Sequence, residues 1–292
     1  MACAICLIRL GDNMDNLLTV SELETHFYVG GRTTKVLNGL DLSVRRGEIV
    51  GLVGPSGTGK SVLVASILGL VRPPGRIIAG RVRFNGEDLL KVNEARLKRL
   101  RGKDISLIAA NPHTLLNPLA PVGAQVANFL MAHRPMPRKV AMDQVLEMFR
   151  AVGIPDPARR LGNYPHELSG GMAQRVVVSI GLICSPQLLL ADEPTFGLDL
   201  TIQAQVLELM KSLLAQRPEA AMLLVTRDLG IVANYCDRVA IMHRGRLIES
   251  GETAEVWRAP KQAYTREILG AAALNRGPNP TSKASVATGM DG

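Results

Sequence analysis

The sequence Gly54-Pro55-Ser56-Gly57-Thr58-Gly59-Lys60-Ser61 matches the phosphate-binding pattern G-x-x-x-x-G-K-[ST]. The apolar run Glu48–Val53 before it is typical of a buried strand, and Ser61–Leu70 after it has the length of a helix. In this context the glycines let backbone N–H groups surround the β- and γ-phosphates of a nucleotide, and the helix N-terminus adds positive charge. Lys60 adds a point charge, and the Ser61 hydroxyl can ligate Mg²⁺. An accidental glycine-rich turn is the alternative, and the flanking elements favour phosphate binding.

An acidic pair ends the apolar run Leu188–Ala191. Asp192, at the predicted strand end, can hold Mg²⁺ through water, and Glu193 can polarise an attacking water as a general base. Taken by itself, the pair could also be two exposed carboxylates at the start of a loop. The phosphate-binding pattern elsewhere in the chain favours the hydrolytic interpretation, with Glu193 as the catalytic residue.

A third motif, Leu168-Ser-Gly-Gly-Met-Ala-Gln-Arg175, opens a predicted helix. Ser169, Gly170 and Gly171 offer a hydroxyl and free backbone donors, which suit a γ-phosphate. A plain helix cap explains the Ser-Gly-Gly sequence, but it does not explain the combination with the other two motifs.

The patterning of the chain predicts an α/β fold. Leu17–Val20 and Thr34–Leu37 suggest short strands with a turn at Gly30–Gly31, and Gly80–Phe84 with Asn85–Gly86 suggests a hairpin. Residues 87–170 suggest an inserted helical subdomain. The second half alternates between apolar strands and amphipathic helices, which indicates a mainly parallel sheet covered on both faces. The predicted strands are Leu188–Ala191, Met222–Thr226 and Val239–Met242, and the predicted helices are Val140–Val152, Gln203–Leu214 and Asp228–Tyr235.

Composition and charge narrow the class of protein. With 292 residues, 47% hydrophobic and 21% charged, the chain is neither globally disordered nor a disulfide scaffold. No apolar run approaches the roughly 20 residues of a transmembrane helix. The net charge of +8 suits nucleic acid, an anionic membrane surface or nucleotide phosphates, but 3% aromatic residues disfavour stacking on single-stranded nucleic acid. We expect an N-terminal extension over 1–13, a domain over 14–270 and a disordered tail over 271–292. Met1 and Met14 are both candidates for the first residue of the natural chain.

The order GPSGTGKS, LSGGMAQR, LLLADEPT, FGLD resembles the ATP-binding subunit of an ABC transporter. The longer stretches YPHELSGGMAQRV, DEPTFGLDLTIQAQVL and PKQAYTREIL are similar to the oligopeptide and dipeptide importer subfamily, which also includes nickel, opine and glutathione systems. The resemblance covers about residues 17–269. It implies a P-loop NTPase of ABC type with an N-terminal antiparallel β subdomain, a mainly parallel core and an inserted helical subdomain.

The resemblance also implies how the motifs are used. In this family two ATPase subunits form a head-to-tail dimer, and each ATP, with Mg²⁺, lies between one chain's phosphate loop and the other chain's signature, here Ser169, Gly170, Gly171 and Gln174. Asp199 matches a loop that communicates across the dimer. Phe27 matches an adenine-stacking aromatic, although an ordinary strand aromatic is an open alternative and Tyr28 is its neighbour.

Two positions depart from the family pattern. Ala110, in Ser106-Leu-Ile-Ala-Ala-Asn-Pro112, stands where relatives usually have a glutamine, and Arg227, in Val225-Thr-Arg-Asp-Leu229, replaces a histidine. Alanine offers no oxygen to Mg²⁺ or water, and arginine is charged and cannot accept a hydrogen bond. Both changes fall on the site that uses Lys60, whereas the signature given to a partner is intact. We therefore expect an asymmetric heterodimer in which this chain's own site is weakened.

The resemblance implies partners and a location as well. We expect two membrane permeases, a second ATPase subunit and, indirectly, a solute-binding protein, with the chain peripheral on the cytoplasmic face of a bacterial-type plasma membrane. Peptides are the favoured cargo, while nickel, opines, glutathione or another small solute stay open, as does a homodimer. The alternatives are a regulatory subunit without turnover in the same complex, or a soluble ABC ATPase acting on nucleic acid, which the basic charge suggests. We expect no direct nucleic-acid partner, because aromatic and basic residues are not interleaved.

Overall fold

The computed structural model describes residues 15–275. The predicted N-terminal extension, 1–13, lies outside the described residues, and so does 276–292 of the predicted tail. The strands in the described part are β1 (Asn16–Val29), β2 (Arg32–Arg45), β3 (Ile49–Val53), β4 (Gly75–Phe84), β5 (Glu87–Asp88), β6 (Ile105–Ala109), β7 (Leu188–Asp192), β8 (Ala221–Thr226), β9 (Arg238–His243) and β10 (Arg246–Glu252).

Helices of very different lengths alternate with these strands. They are α1 (Lys60–Ile67), α2 (Glu94–Leu100), α3 (Pro112–Leu115), α4 (Val122–His133), α5 (Arg138–Ala151), α6 (Pro157–Arg160), α7 (Gly170–Leu182), α8 (Leu200–Ala215), α9 (Leu229–Tyr235), α10 (Thr253–Arg258) and α11 (Ala263–Asn275), and a short 3₁₀ turn covers Pro165–Glu167. Among residues 15–275, no helix combines the length and apolar character needed to cross a bilayer.

The first sheet is antiparallel, with strand order β2-β1-β4-β5. Its first turn lies at Gly30 and Gly31, both at positive φ, where glycine avoids the steric cost of a side chain. The strands are longer than the short apolar runs in the sequence predicted, because pairing continues into polar residues at both strand ends. The predicted antiparallel β subdomain is confirmed.

The second sheet has the order β10-β9-β3-β8-β7-β6, and every pair is parallel except β10 with β9. Strands β3 and β8 are buried along their whole length. Such continuous apolar strands fit a parallel sheet that is covered on both faces. The predicted α/β core is confirmed, and the parallel strands all end on the side where the phosphate-binding pattern lies.

Two predicted boundaries differ from the structure. The segment 87–170 contains β6, which joins the core sheet next to β7, so the mostly helical insertion begins only after Ala109. The sequence Ile105-Ser-Leu-Ile-Ala109 is a short apolar run, and its partner strand lies far along the chain, so local patterning did not separate it from the helices around it. Helix α11 extends to Asn275, five residues into the predicted tail, because the alanines after Gly270 favour helix.

Two apolar clusters fix the position of the phosphate-binding segment. One lies between the two sheets and includes Leu63 and Ile67 of α1 together with Phe84 of the antiparallel sheet and Leu223 of the core sheet. The other lies on the opposite face of the core sheet, against α4, α5, α7 and α8. Helix α1 is therefore held between the sheets, with its N-terminus at the carboxyl end of β3.

Candidate active site

The phosphate-binding loop joins β3 to α1 and depends on glycine at specific points. A Cβ on Gly54 would lie 2.3 Å from the backbone oxygen of Met242, and Gly59 has φ 104° at the start of α1. No other residue type fits the first position without moving the backbone, and the second conformation is strained for residues with side chains. The loop thus brings its backbone N–H groups together at the N-terminus of α1.

Lys60 is the first residue of α1 and is only 5% exposed. Its Nζ atom donates hydrogen bonds to the carbonyl oxygens of Gly54, at 2.7 Å, and Pro55, at 2.8 Å. Burial lowers the pKa of the Lys60 ammonium, and the nearby carboxylates of Glu193 and Asp192 oppose that shift. The ammonium therefore lies between the loop and the acidic pair, where it can bind phosphate oxygens.

Asp192 ends β7, and its carboxylate is suited to bind a cation. Its Oδ1 atom is buried without a hydrogen-bond partner, and the Ser61 hydroxyl donates to the carboxylate. Burial raises the pKa of Asp192, the Ser61 bond lowers it, and the charge of Glu193 raises it. Carboxylate and hydroxyl oxygens are the hard donors that Mg²⁺ prefers, so Ser61 and Asp192 fit that ion. Within residues 15–275 no group of three or more His, Cys, Asp and Glu side chains forms a metal cage.

Glu193 follows Asp192 with φ 48°, in the left-handed region that is uncommon for a residue with a side chain. Its backbone N–H donates to the Val225 oxygen at 2.9 Å, which ties it to the end of β8. Its Oε2 atom lies 2.9 Å from Nη2 of Arg227, and Nη1 of Arg227 donates to the Ser56 hydroxyl at 3.2 Å. Arg227, which the resemblance puts where relatives have a histidine, therefore bridges the expected general base and the phosphate loop.

Sequence reasoning missed Phe196 as part of this site. The Cζ atom of Arg227 lies 5.1 Å from the centroid of the Phe196 ring, which is a cation–π distance. Phe196 is 56% exposed and lies three residues after Glu193. The available signal was an aromatic residue close to the acidic pair in a chain with only 3% aromatic residues.

Ala110 lies next to the acidic pair. Strands β6 and β7 pair in parallel with Ala109 opposite Asp192, so Ala110 is the first residue beyond that pair. Its methyl group supplies no oxygen ligand there. The neighbouring Asn111 adopts φ 62° and precedes the short helix α3.

Three of the four predicted signature residues lie at the start of α7. Ser169 caps the helix and accepts from the Met172 N–H at 3.3 Å, and Ser169 and Gly170 are exposed, with Gly171 partly so. Gln174 is different, because it is 1% exposed and its Nε2 atom is buried without a partner. In the single chain the Gln174 side chain is therefore buried within the protein, and its role toward a partner's ATP stays a prediction.

Asp199 and Phe27 lie at the ends of secondary-structure elements, Asp199 before α8 and Phe27 near the end of β1. Asp199 caps α8, accepting from the N–H groups of Thr201 and Ile202 at 3.1 Å, and is exposed. The half-buried ring of Phe27 lies against Gly75 and Val71 at the end of β1, whereas Tyr28 is exposed on the opposite face. Stacking of a base on Phe27 stays a prediction.

The sequence is similar to a known protein family and to named relatives. Residues 37–196 match the family described as ABC transporter. The chain is 42% identical over 258 residues to the dipeptide transport ATP-binding protein DppD of Bacillus subtilis, covering 88% of this chain and 77% of that protein. It is 44% identical over 256 residues to a probable peptide ABC transporter ATP-binding protein of Sinorhizobium fredii, covering 87% and 76%.

Solved structures agree on the fold. The dimeric ATP-binding cassette MJ0796, in a post-hydrolysis state bound to ADP and Pi, superimposes with a TM-score of 0.73 at 23% identity, covering 81% of this chain and 98% of that one. The cbiO1 protein of Clostridium perfringens, part of the ABC transporter complex cbiONQ, gives a TM-score of 0.72 at 25% identity, covering 89% and 99%.

Proposed function

The chain belongs to the ABC transporter family of ATPases, and on that premise we propose that it is the ATP-binding subunit that powers import of peptides or a related small solute. The observation that carries the proposal is the convergence of Lys60, Ser61, Asp192 and Glu193 at the carboxyl ends of β3 and β7. The relatives named for dipeptide and peptide transport support the class of cargo.

The residues of the site support ATP hydrolysis by water. The loop N–H groups and the Lys60 ammonium are suited to bind the β- and γ-phosphates, and Ser61 with Asp192 would hold Mg²⁺. When bound, Mg²⁺ neutralises charge on the phosphate oxygens. Glu193 is the group that can orient and deprotonate the attacking water, provided that its carboxylate is free to accept a hydrogen bond.

Two features support the proposal that this chain's own ATP site, which contains Lys60, is weakened. Ala110 removes an oxygen donor beside Asp192, and Arg227 occupies Oε2 of Glu193 at 2.9 Å. Losing one preorganised contact at a reacting centre typically costs about 10²–10³ in rate. The two losses share one site, so their costs do not simply multiply. The retained Glu193 supports slow hydrolysis rather than none.

An assembly follows from this asymmetry. We propose a heterodimer in which Ser169, Gly170 and Gly171 complete the competent site of a second ATPase subunit. The pair would dock on two membrane permeases at the cytoplasmic face of a bacterial-type plasma membrane, with a solute-binding protein delivering cargo. The exposed signature at the start of α7 supports this arrangement.

A second candidate is a regulatory subunit of the same transporter that binds ATP and does not hydrolyse it. The ion pair between Arg227 and Glu193 favours it, because a carboxylate held by a guanidinium is a poor acceptor for the proton of water. The two candidates differ only in turnover at the site that contains Lys60.

The assembly is tested by purifying the tagged chain from native detergent-solubilised membranes and identifying the captured proteins by mass spectrometry. Two permeases and a second ATPase subunit are the expected result. Recovery as a soluble homodimer, or with ribosomes and no membrane protein, would overturn the transport assignment.

A further inference from the structure

Arg227 contacts two loops that are distant from it in sequence. It donates to Ser56 of the phosphate loop at 3.2 Å, pairs with Glu193 at 2.9 Å and lies over the ring of Phe196 at 5.1 Å. The electrostatic influence of Arg227 also reaches Lys60, whose pKa it helps to lower. Arg227 therefore lies at the end of the phosphate site where the acidic pair is.

The Phe196 ring contacts the guanidinium of Arg227 and limits the movement of this side chain. The Arg227 side chain is 43% exposed, and a solvent-exposed ion pair alone holds a long side chain weakly. An exposed cation–π contact adds stabilisation equivalent to about two- to fivefold in an equilibrium constant, and more when water is excluded from it. The aromatic ring is thus one of three contacts that hold the guanidinium, with Glu193 and Ser56.

The Phe196 ring also lies on a surface that continues to the signature. Leu198, two residues on, is the neighbour of Gly170 at the start of α7, and Leu200 beyond it is 79% exposed. The loop that carries Phe196 therefore borders this chain's signature, which in the proposed function completes the ATP site of the second ATPase subunit. A subunit docked there would cover the ring and exclude water from its contact with Arg227.

We propose that Phe196 is a positioning residue that acts through Arg227 on the terminal-phosphate end of this chain's own site, and that docking of the second ATPase subunit strengthens this action by covering the ring. The second half rests on the proposed function, which supplies that subunit. The first half concerns the isolated chain alone.

The first half is tested by measuring dissociation constants for MgATP and MgADP with the purified full chain. Phe196→Ala and Phe196→Leu are expected to weaken MgATP about two- to fivefold and to change MgADP less than twofold, while Phe196→Tyr, which keeps an aromatic face, restores the wild-type value. In an Arg227→Ala background, Phe196→Ala is expected to have no further effect. Leu200→Ala, an exposed apolar residue on the same surface, is the matched control.

Several results would overturn the first half. Phe196→Leu binding MgATP like the wild type would show that the aromatic face does not matter. An equal effect of Phe196→Ala with and without Arg227 would show that the ring does not act through the arginine. Equal weakening of MgATP and MgADP would place the effect away from the terminal phosphate.

The second half uses the assembled complex. Addition of the second subunit is expected to tighten MgATP at this chain's site about twofold or more for the wild type and Phe196→Tyr, and less for Phe196→Leu. Equal tightening for all three would contradict the proposal. If no second subunit is recovered, the proposed function fails while the isolated-chain result stands on its own measurements.

Discussion

The Nη2 atom of Arg227 lies 2.9 Å from Oε2 of Glu193, although the two residues are 34 positions apart in sequence. The contact exists because β7 and β8 are adjacent parallel strands that end together, with Glu193 directly after one and Arg227 directly after the other. It brings a permanent positive charge to the residue best placed to act as a general base. We therefore infer that hydrolysis at this chain's own site requires that pair to open.

Lys60 is predicted to be essential for nucleotide binding. Lys60→Ala removes the ammonium that lies between the loop carbonyls and the acidic pair, so MgATP affinity should fall by about 10-fold or more, as expected for a lost charge-assisted hydrogen bond. Equilibrium binding to the purified chain measures the effect. Lys98→Ala removes the same charge from the exposed face of α2 and should leave affinity unchanged; equal losses would indicate a general effect of charge.

Asp192→Asn is predicted to stabilise the metal-free chain near neutral pH. Burial raises the folded-state pKa of Asp192, so the folded protein binds that proton more tightly than the unfolded protein does. The wild type therefore loses stability as pH rises from the ordinary aspartate pKa through the raised one. The amide avoids this loss, and the two proteins should converge at low pH, where the carboxyl is neutral.

Denaturant unfolding across pH measures that difference, and Asp143→Asn on the exposed face of α5 is the control. The same Asp192→Asn variant should lose the additional stabilisation that Mg²⁺ gives in the presence of ATP. An Asp192→Asn protein that is less stable than the wild type at neutral pH, or that keeps its response to Mg²⁺, would contradict the role given to Asp192.

Gly54→Ala is predicted to disrupt the phosphate loop. The added Cβ would lie 2.3 Å from the Met242 backbone oxygen, a contact that only backbone movement can relieve. Both the free energy of unfolding and MgATP affinity should fall. Gly270→Ala is the matched control, since it adds the same methyl group to open space on helix α11 and should stabilise the chain by about 0.5–1 kcal/mol. Thermal unfolding with and without MgATP measures both effects. If Gly54→Ala were as stable as Gly270→Ala and responded equally to MgATP, the loop would be undisturbed and the prediction wrong.

The strand–loop–helix around Lys60 and the acidic pair after β7 could be predicted from sequence because each depends on residues that are neighbours in the chain. The position of β6 in the core sheet could not be predicted in this way. It depends on pairing with β7, which begins some 80 residues later in the chain. The burial of Gln174 depends on which side of α7 packs inward, and the signature motif alone does not fix this for a polar residue.

The resemblance predicted that Arg227 departs from the family pattern, but it gave no information on the contacts of this residue. Its pairing with Glu193 and its position over Phe196 result from three loops that meet at one edge of the sheet. Local periodicity carries no information on such a meeting point, and a long arginine side chain could have pointed to solvent instead.

We predict that Ala110 and Arg227 weaken the ATP site that contains Lys60. The most direct measurement is single-turnover ATP hydrolysis by the assembled complex with the second subunit's site disabled, comparing the wild type with Ala110→Gln/Arg227→His. We predict slow hydrolysis by the wild type and an increase of about 10-fold or more in the double variant, in line with the cost of a lost preorganised contact. Rapid hydrolysis by the wild type, with no gain on restoring both residues, would contradict the claim.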